Sequence, residues 1–398
     1  MNSKEKNDKK KLCPPKAILA LIIFLVFAIA SIIVIVILVK KKDNYYNSYY
    51  LSGIIEEQEN PDGTGRLLKY RLVDVNKEHY IGELSDKVKR THVKYYNRYG
   101  IKLAGDLYEP KVLNRSLQYK AVIIGPPYGG VKEQGPSIYA NELASRGFIA
   151  LTFDPSFNGE SGGRPRKVSS SDIFMEDFSA GVDYLGTLSY VDRDKIGGIG
   201  ICGSGGFLLG AATIDIRIKA IITVVLYDIP HLNNFSNNDT AWNISVKNLK
   251  EQRWKDVDKG NPTCYTLYEP DREYINGSFP SLPKDFDKWR IFYSTERGHH
   301  PRSTGGFTET SIFSLGNLEI TNNINKISPR PILFISGDAA DSKNYTLDIM
   351  KKAKDPKYYY QVNDTTTHID LYDNITKIPF NEIENFLNES LEKKYYED

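Results

Sequence analysis

The chain has 398 residues, 40% of them apolar and 26% charged, which is the composition of a folded protein rather than a disordered one. Its formal net charge is +2, and no basic stripe with interleaved aromatics and no zinc-ligand spacing is present, so nucleic acid is excluded as a partner. Cys13, Cys202 and Cys264 are too few and too scattered for a disulfide framework.

Residues 1–16 form a basic arm, expected to be cytosolic, and Ala17 to Val39 then runs for 23 residues without a charge. A helix of that length crosses a hydrocarbon core of about 30 Å, so 17–39 is expected to be an uncleaved transmembrane helix that contacts membrane lipid. Six lysines precede it and Lys40, Lys41 and Lys42 follow, which favours a cytosolic N-terminus with the remainder lumenal or extracellular. Nine glycosylation sequons lie after this stretch and none before it: Asn114, Asn234, Asn238, Asn243, Asn276, Asn344, Asn363, Asn374 and Asn388. With 28 Asn and 47 Ser plus Thr in the chain, chance supplies roughly three, so a glycosylated exterior domain is expected.

Residues 40–90 read as a stalk leading into peripheral strands, and 91–110 as a hairpin turning at Arg98-Tyr99-Gly100. A βα rhythm follows. Strands are expected at 119–125, 148–153, 195–201 and 219–225, with helices through 138–147, 171–188 and 207–214. Continuous apolar strands between helices indicate a parallel sheet covered on both faces. Between 226 and 325 the rhythm stops in a polar, aromatic stretch with helical pieces such as 244–257, expected to be a cap inserted between two core segments, 91–225 and 326–398. Strands resume at 330–337 and 357–363, with helices near 344–353 and 380–393.

In a parallel sheet, chemistry sits at the C-terminal strand ends. Residues 196–206, IGGIGICGSGG, suit a nucleophile elbow, a strained strand-to-helix turn flanked by small residues. The flanks admit either Cys202 or Ser204 at the apex. Elbows of the pattern R-I-G-x-x-G-x-S-x-G-G place the nucleophile six residues after the Ile, and Ile196 plus six is Cys202; Ser204 stays as the alternate. A buried, inert cysteine in a glycine-rich turn is the plain structural reading. The base that such a nucleophile needs falls on His368, which alone of the later histidines follows the last apolar strand. The acid is Asp341, 27 residues before it, with Asp338 as the alternate that would otherwise cap a turn. An oxyanion hole is expected from the backbone N–H groups of Gly203 and Tyr128, the latter in a loop stiffened by Pro126 and Pro127. Arg297, His299, His300 and Arg302 either bind an acidic substrate group or form a solvated turn with structural hydrogen bonds.

Residues 129–166, 198–220, 297–306, 327–342 and 368–380 together resemble the α/β-hydrolase group akin to dienelactone hydrolases, over about residues 91–393. The resemblance implies an α/β-hydrolase fold with a helical cap and a Cys-or-Ser, Asp, His triad at Cys202, Asp341 and His368. The loop histidine often expected in this group is Pro126 here. The chain is therefore expected to cleave an ester, thioester or lactone of a small-molecule acyl substrate through an acyl-enzyme, with no metal or organic cofactor. The rival expectation is a catalytically inactive hydrolase-like receptor or adhesion domain. Sequence leaves the oligomeric state open.

Overall fold

The computed structural model describes residues 53–59, 66–72, 79–232, 239–265, 287–295, 297–303, 305–316 and 318–396. The apolar run 17–39 lies outside these residues, as do Asn234, Asn238 and Asn276; no helix among the described residues is long and apolar enough to cross a membrane. Ser52–Asp398 forms a single compact unit.

Two strands, β1 (Gly53–Glu59) and β2 (Arg66–Leu72), pair antiparallel as a separate two-stranded sheet. The main sheet has eight strands: β3 (Val88–Tyr96), β4 (Lys102–Pro110), β5 (Tyr119–Gly125), β6 (Ile149–Phe153), β7 (Val191–Ile201), β8 (Ile218–Val224), β9 (Ile332–Gly337) and β10 (Lys357–Val362). Their spatial order is β10-β9-β8-β7-β5-β6-β4-β3. The β3–β4 hairpin and the β4–β6 pair are antiparallel, while β5 to β10 run parallel. The hairpin turns at Gly100, whose φ of 73° is open to glycine and strained for most other residues.

The parallel strands are apolar on both faces because helices cover both. On one face α2 (Ser171–Thr187), α3 (Gly203–Ile214) and α6 (Lys343–Lys352) bury Phe174, Phe178, Leu208 and Ile349. On the other, α1 (Gly135–Ser145) and α8 (Phe380–Ser390) bury Tyr139, Leu143, Ile383 and Leu387. Each such side chain contributes about 1.5–3 kcal/mol on burial, so the sheet's rim is held against two dry layers. Between β8 and β9 lie α4 (Asp239–Lys259), α5 (Asp287–Ser294) and shorter turns; α7 (Asp370–Asp373) precedes α8.

The order places β7 beside both β5 and β8, so the C-terminal ends of these strands, and the loops that leave them, converge.

Candidate active site

β7 ends at Ile201 and α3 begins at Gly203, which leaves Cys202 alone to reverse the chain. Cys202 has φ 56° and ψ −122°, a backbone conformation that L-residues rarely hold and that persists only where the surroundings enforce it. Three backbone bonds do so: Cys202 N–H donates to Val224 at 2.9 Å, and the Cys202 carbonyl accepts from Gly205 at 3.0 Å and Tyr227 at 3.1 Å. The flanking glycine is obligatory, since a Cβ on Gly200 would stand 2.6 Å from the Gly205 Cα.

His368 follows β10 and lies fully inside the protein, 2% exposed. Its Nδ1 is 2.7 Å from the Ser342 Oγ and 3.4 Å from the Asp341 Oδ1. Its Nε2 is 3.0 Å from the Tyr372 hydroxyl. The ring lies nearly parallel to Tyr227, with centroids 5.2 Å apart, and 4.3 Å from Trp289. Burial pushes the Cys202 thiol up, but hydrogen bonds from His368, Tyr372 and the Tyr128 backbone N–H outweigh it and the net shift is downward. Burial pushes His368 down, yet Asp341 and Cys202 together bring it above its ordinary value. Asp341 is itself shifted down, its burial outweighed by the hydrogen bond and charge of His368. The arrangement thus shifts the thiol and the imidazole in the direction of a thiolate–imidazolium pair beside a carboxylate.

No protein-family model matches the chain. It is 42% identical over 316 residues to the uncharacterized protein PA2218 of Pseudomonas aeruginosa, covering 77% of this chain and 82% of that protein. The crystal structure of PA2218 superposes with a TM-score of 0.74, covering 80% of this chain and 99% of that one, at 39% identity. The uncharacterized protein YcjY of Escherichia coli is 32% identical over 285 residues, covering 69% of this chain and 89% of YcjY. The α/β hydrolase GrgF of Penicillium sp. sh18 shares the fold, with a TM-score of 0.64 at 20% identity over 77% of this chain and all of GrgF. The chain belongs to the family of PA2218 and YcjY, and its fold is that of the α/β hydrolases.

On this α/β-hydrolase fold the two open choices separate geometrically. Ser204 sits one residue into α3, 4% exposed, and its hydroxyl donates to the Pro126 carbonyl. It ties the loop after β5 to α3 and does not reach His368. Asp338 spends its carboxylate on a turn, accepting from the N–H groups of Thr366 at 2.7 Å, Ala339 at 2.9 Å and Thr365 at 3.2 Å. Asp341 is the one of the two beside His368. The Tyr128 N–H, in the loop after β5, is among the groups that draw the Cys202 thiol down, and Gly203 opens α3 beside Cys202. A Cβ on Gly203 would lie 2.8 Å from the Tyr128 Cβ, so the fold holds these two groups in direct apposition. The Tyr128 ring stacks on Phe307 at 4.2 Å and joins Phe174 and Phe207 around an apolar hollow.

The cluster Arg297, His299, His300 and Arg302 is a turn held by structural hydrogen bonds rather than a free anion site. Arg297 pairs with Asp373 at 2.7 Å and with Asp370 at 3.4 Å. Arg302 pairs with Glu133 at 2.7 Å. Burial pushes His299 down to about 4 and holds His300 well below its ordinary value, so both imidazoles are neutral near pH 7. The positive charge of the segment is already matched by the protein's own carboxylates.

Sequence reasoning missed Ser342, Tyr227, Trp289 and Tyr372 around the imidazole. Two carried a signal: Ser342 follows Asp341, and Tyr372 stands four residues after His368, one helical turn away. It also missed Lys132, 0% exposed, whose ammonium contacts Glu133, Glu160 at 2.7 Å and Asp154 at 3.4 Å. Among the described residues, Glu133, Asp154 and Glu160 are the trio close enough to share a cation, and the Lys132 ammonium lies among them.

Proposed function

We propose that this α/β hydrolase cleaves a carboxylic ester, thioester or lactone through an acyl-cysteine, in the manner of the dienelactone-hydrolase-like group. The Cys202 thiolate attacks the carbonyl carbon; a C–S bond forms and the π electrons move to oxygen, which the N–H groups of Tyr128 and Gly203 receive. Collapse expels the alcohol or thiol, protonated by His368. Water then attacks the thioester while His368 takes its proton, and the acid leaves with the thiol regenerated. The carrying observation is the strained Cys202 at the turn between β7 and α3, with His368 and the Tyr128 N–H among the groups that draw its thiol down.

The test is Cys202→Ala, which should cut turnover of a p-nitrophenyl ester by about 10³-fold or more, whereas Ser204→Ala should retain most of it. Full activity in Cys202→Ala sinks the mechanism.

The proposal includes membrane anchoring through residues 17–39 with the catalytic unit outside the cytosol. The lysine asymmetry and the sequons support it, and Asn114, Asn243, Asn344 and Asn363 have exposed side chains. A chain released from membranes by alkaline carbonate, or unchanged in mobility after endoglycosidase treatment, speaks against these two parts respectively.

A further inference from the structure

The hydroxyl of Tyr372 stands at the nucleophilic pair. It is 3.0 Å from His368 Nε2 and is among the groups that draw the Cys202 thiol down. The ring is 0% exposed, met edge-on by Phe292 at 5.3 Å and by Trp289 at 6.1 Å. The short helix α7 that carries it is clamped from two sides. The Tyr139 hydroxyl donates to the Leu371 carbonyl at 2.7 Å, and Arg297 grips Asp373 at 2.7 Å. The hydroxyl is therefore held in place, with little freedom to turn away.

A hydroxyl both donates and accepts. We propose that Tyr372 is a further catalytic residue, whose hydroxyl donates to the Cys202 thiolate while accepting from the His368 imidazolium. As the Sγ–H bond breaks, its proton goes to the Nε2 lone pair and the electron pair stays on sulfur. Tyr372 keeps its own proton, directs it at sulfur, and offers its oxygen to the new Nε2–H. Both hydrogen bonds become charge-assisted, whereas in the neutral thiol–imidazole pair neither is, so the hydroxyl stabilises the ion pair selectively. When the thiolate attacks, the charge passes to the carbonyl oxygen and the hydroxyl's bond to sulfur weakens. The other titratable groups facing the pair are Asp341 and Tyr227, with Lys288 acting on Asp341.

The proposal rests on Cys202 as nucleophile, so its test reads the thiol without any ester. In the full chain, iodoacetamide alkylation of Cys202 is followed against pH by peptide-resolved mass spectrometry. Tyr372→Phe should move the alkylation midpoint up by about one pH unit. Below the midpoint the thiolate fraction then falls about tenfold while its nucleophilicity rises about threefold, so alkylation slows about threefold. Replacing Tyr372 by 2,3-difluorotyrosine keeps the shape and strengthens the donor, and should move the midpoint down. This variant decides the matter if Tyr372→Phe does not fold. A midpoint that does not move overturns the proposal. An unmoved midpoint together with loss of ester turnover in Cys202→Ala leaves the hydrolase reading standing without Tyr372. A shifted midpoint together with full turnover in Cys202→Ala supports the hydroxyl–thiolate bond and overturns the hydrolase reading instead.

Discussion

Replacing Lys132 by methionine removes a buried cation and almost none of its volume. The side chain is 1% exposed, and its ammonium meets Glu133, Glu160 and Asp154, of which Glu133 and Asp154 are 3% and 0% exposed. Without it, Arg302 at 2.7 Å from Glu133 is the remaining cation in contact with that carboxylate. Stranding a buried charge in this way costs about 3–5 kcal/mol, a large share of a total stability of about 5–15 kcal/mol. Guanidinium unfolding followed by circular dichroism should show that loss at pH 8. The double variant with Glu133→Gln should recover part of it, because the second change removes one of the orphaned charges. The loss should also depend on pH with a definite sign. Burial and the Asp154 charge push Glu133 up to about 7 even with Lys132 and Arg302 opposing them. A carboxyl whose folded value is raised binds more protons in the native state, so stability falls as pH rises from its unfolded value through its folded one. Removing Lys132 raises Glu133 further and extends that fall above pH 7, so the deficit should be smaller at pH 6 than at pH 8. A loss below about 1 kcal/mol, the scale of an exposed ion pair, would refute the reasoning.

Three further outcomes follow from the site. Asp341→Asn should lower kcat/KM by about 10- to 100-fold, tempered by Ser342 at 2.7 Å from the same ring nitrogen, while Asp338→Asn should leave turnover near the parent value. Equal losses from the two would count against Asp341 as the orienting acid. Gly200→Ala should destabilise the fold by about 3 kcal/mol or more, because its Cβ would stand 2.7 Å from the Gly205 nitrogen, backbone that has nowhere to move. An alanine variant as stable as the parent would contradict the elbow geometry. Alkylation of the parent chain should reach Cys202 at lower pH than Cys264 although Cys264 is the more exposed, since Cys264 is pushed up by burial and Cys202 is drawn down by its hydrogen bonds. If Cys264 reacts first, the thiolate assignment fails.

Much of the architecture is legible in local sequence. Each continuous apolar run from 119 to 363 is a strand within a few residues of its expected bounds, and the hairpin turns where Arg98-Tyr99-Gly100 stands. Backbone preference and hydrophobic continuity act over a handful of neighbours, so a linear reading captures them. The same holds for the elbow, because a turn confined to one residue between a strand and a helix needs its glycines within two or three positions.

Choosing between neighbours was a different matter. Ser204 and Cys202 are two residues apart, and Asp338 and Asp341 three, yet within each couple the side chains face different surroundings. Ser204 is drawn to Pro126 and Asp338 to Thr366, partners 78 and 28 positions away that no spacing rule supplies. The ring of Tyr227, Trp289, Ser342 and Tyr372 around His368, and the burial of Lys132 among three carboxylates, likewise arise from segments that meet only when the sheet brings its strand ends together. Composition and pattern specify which elements form; which polar groups lose their water, and to which partner, is settled by packing between distant parts of the chain, since the energy of a buried hydrogen bond or charge depends on what stands within a few ångströms of it.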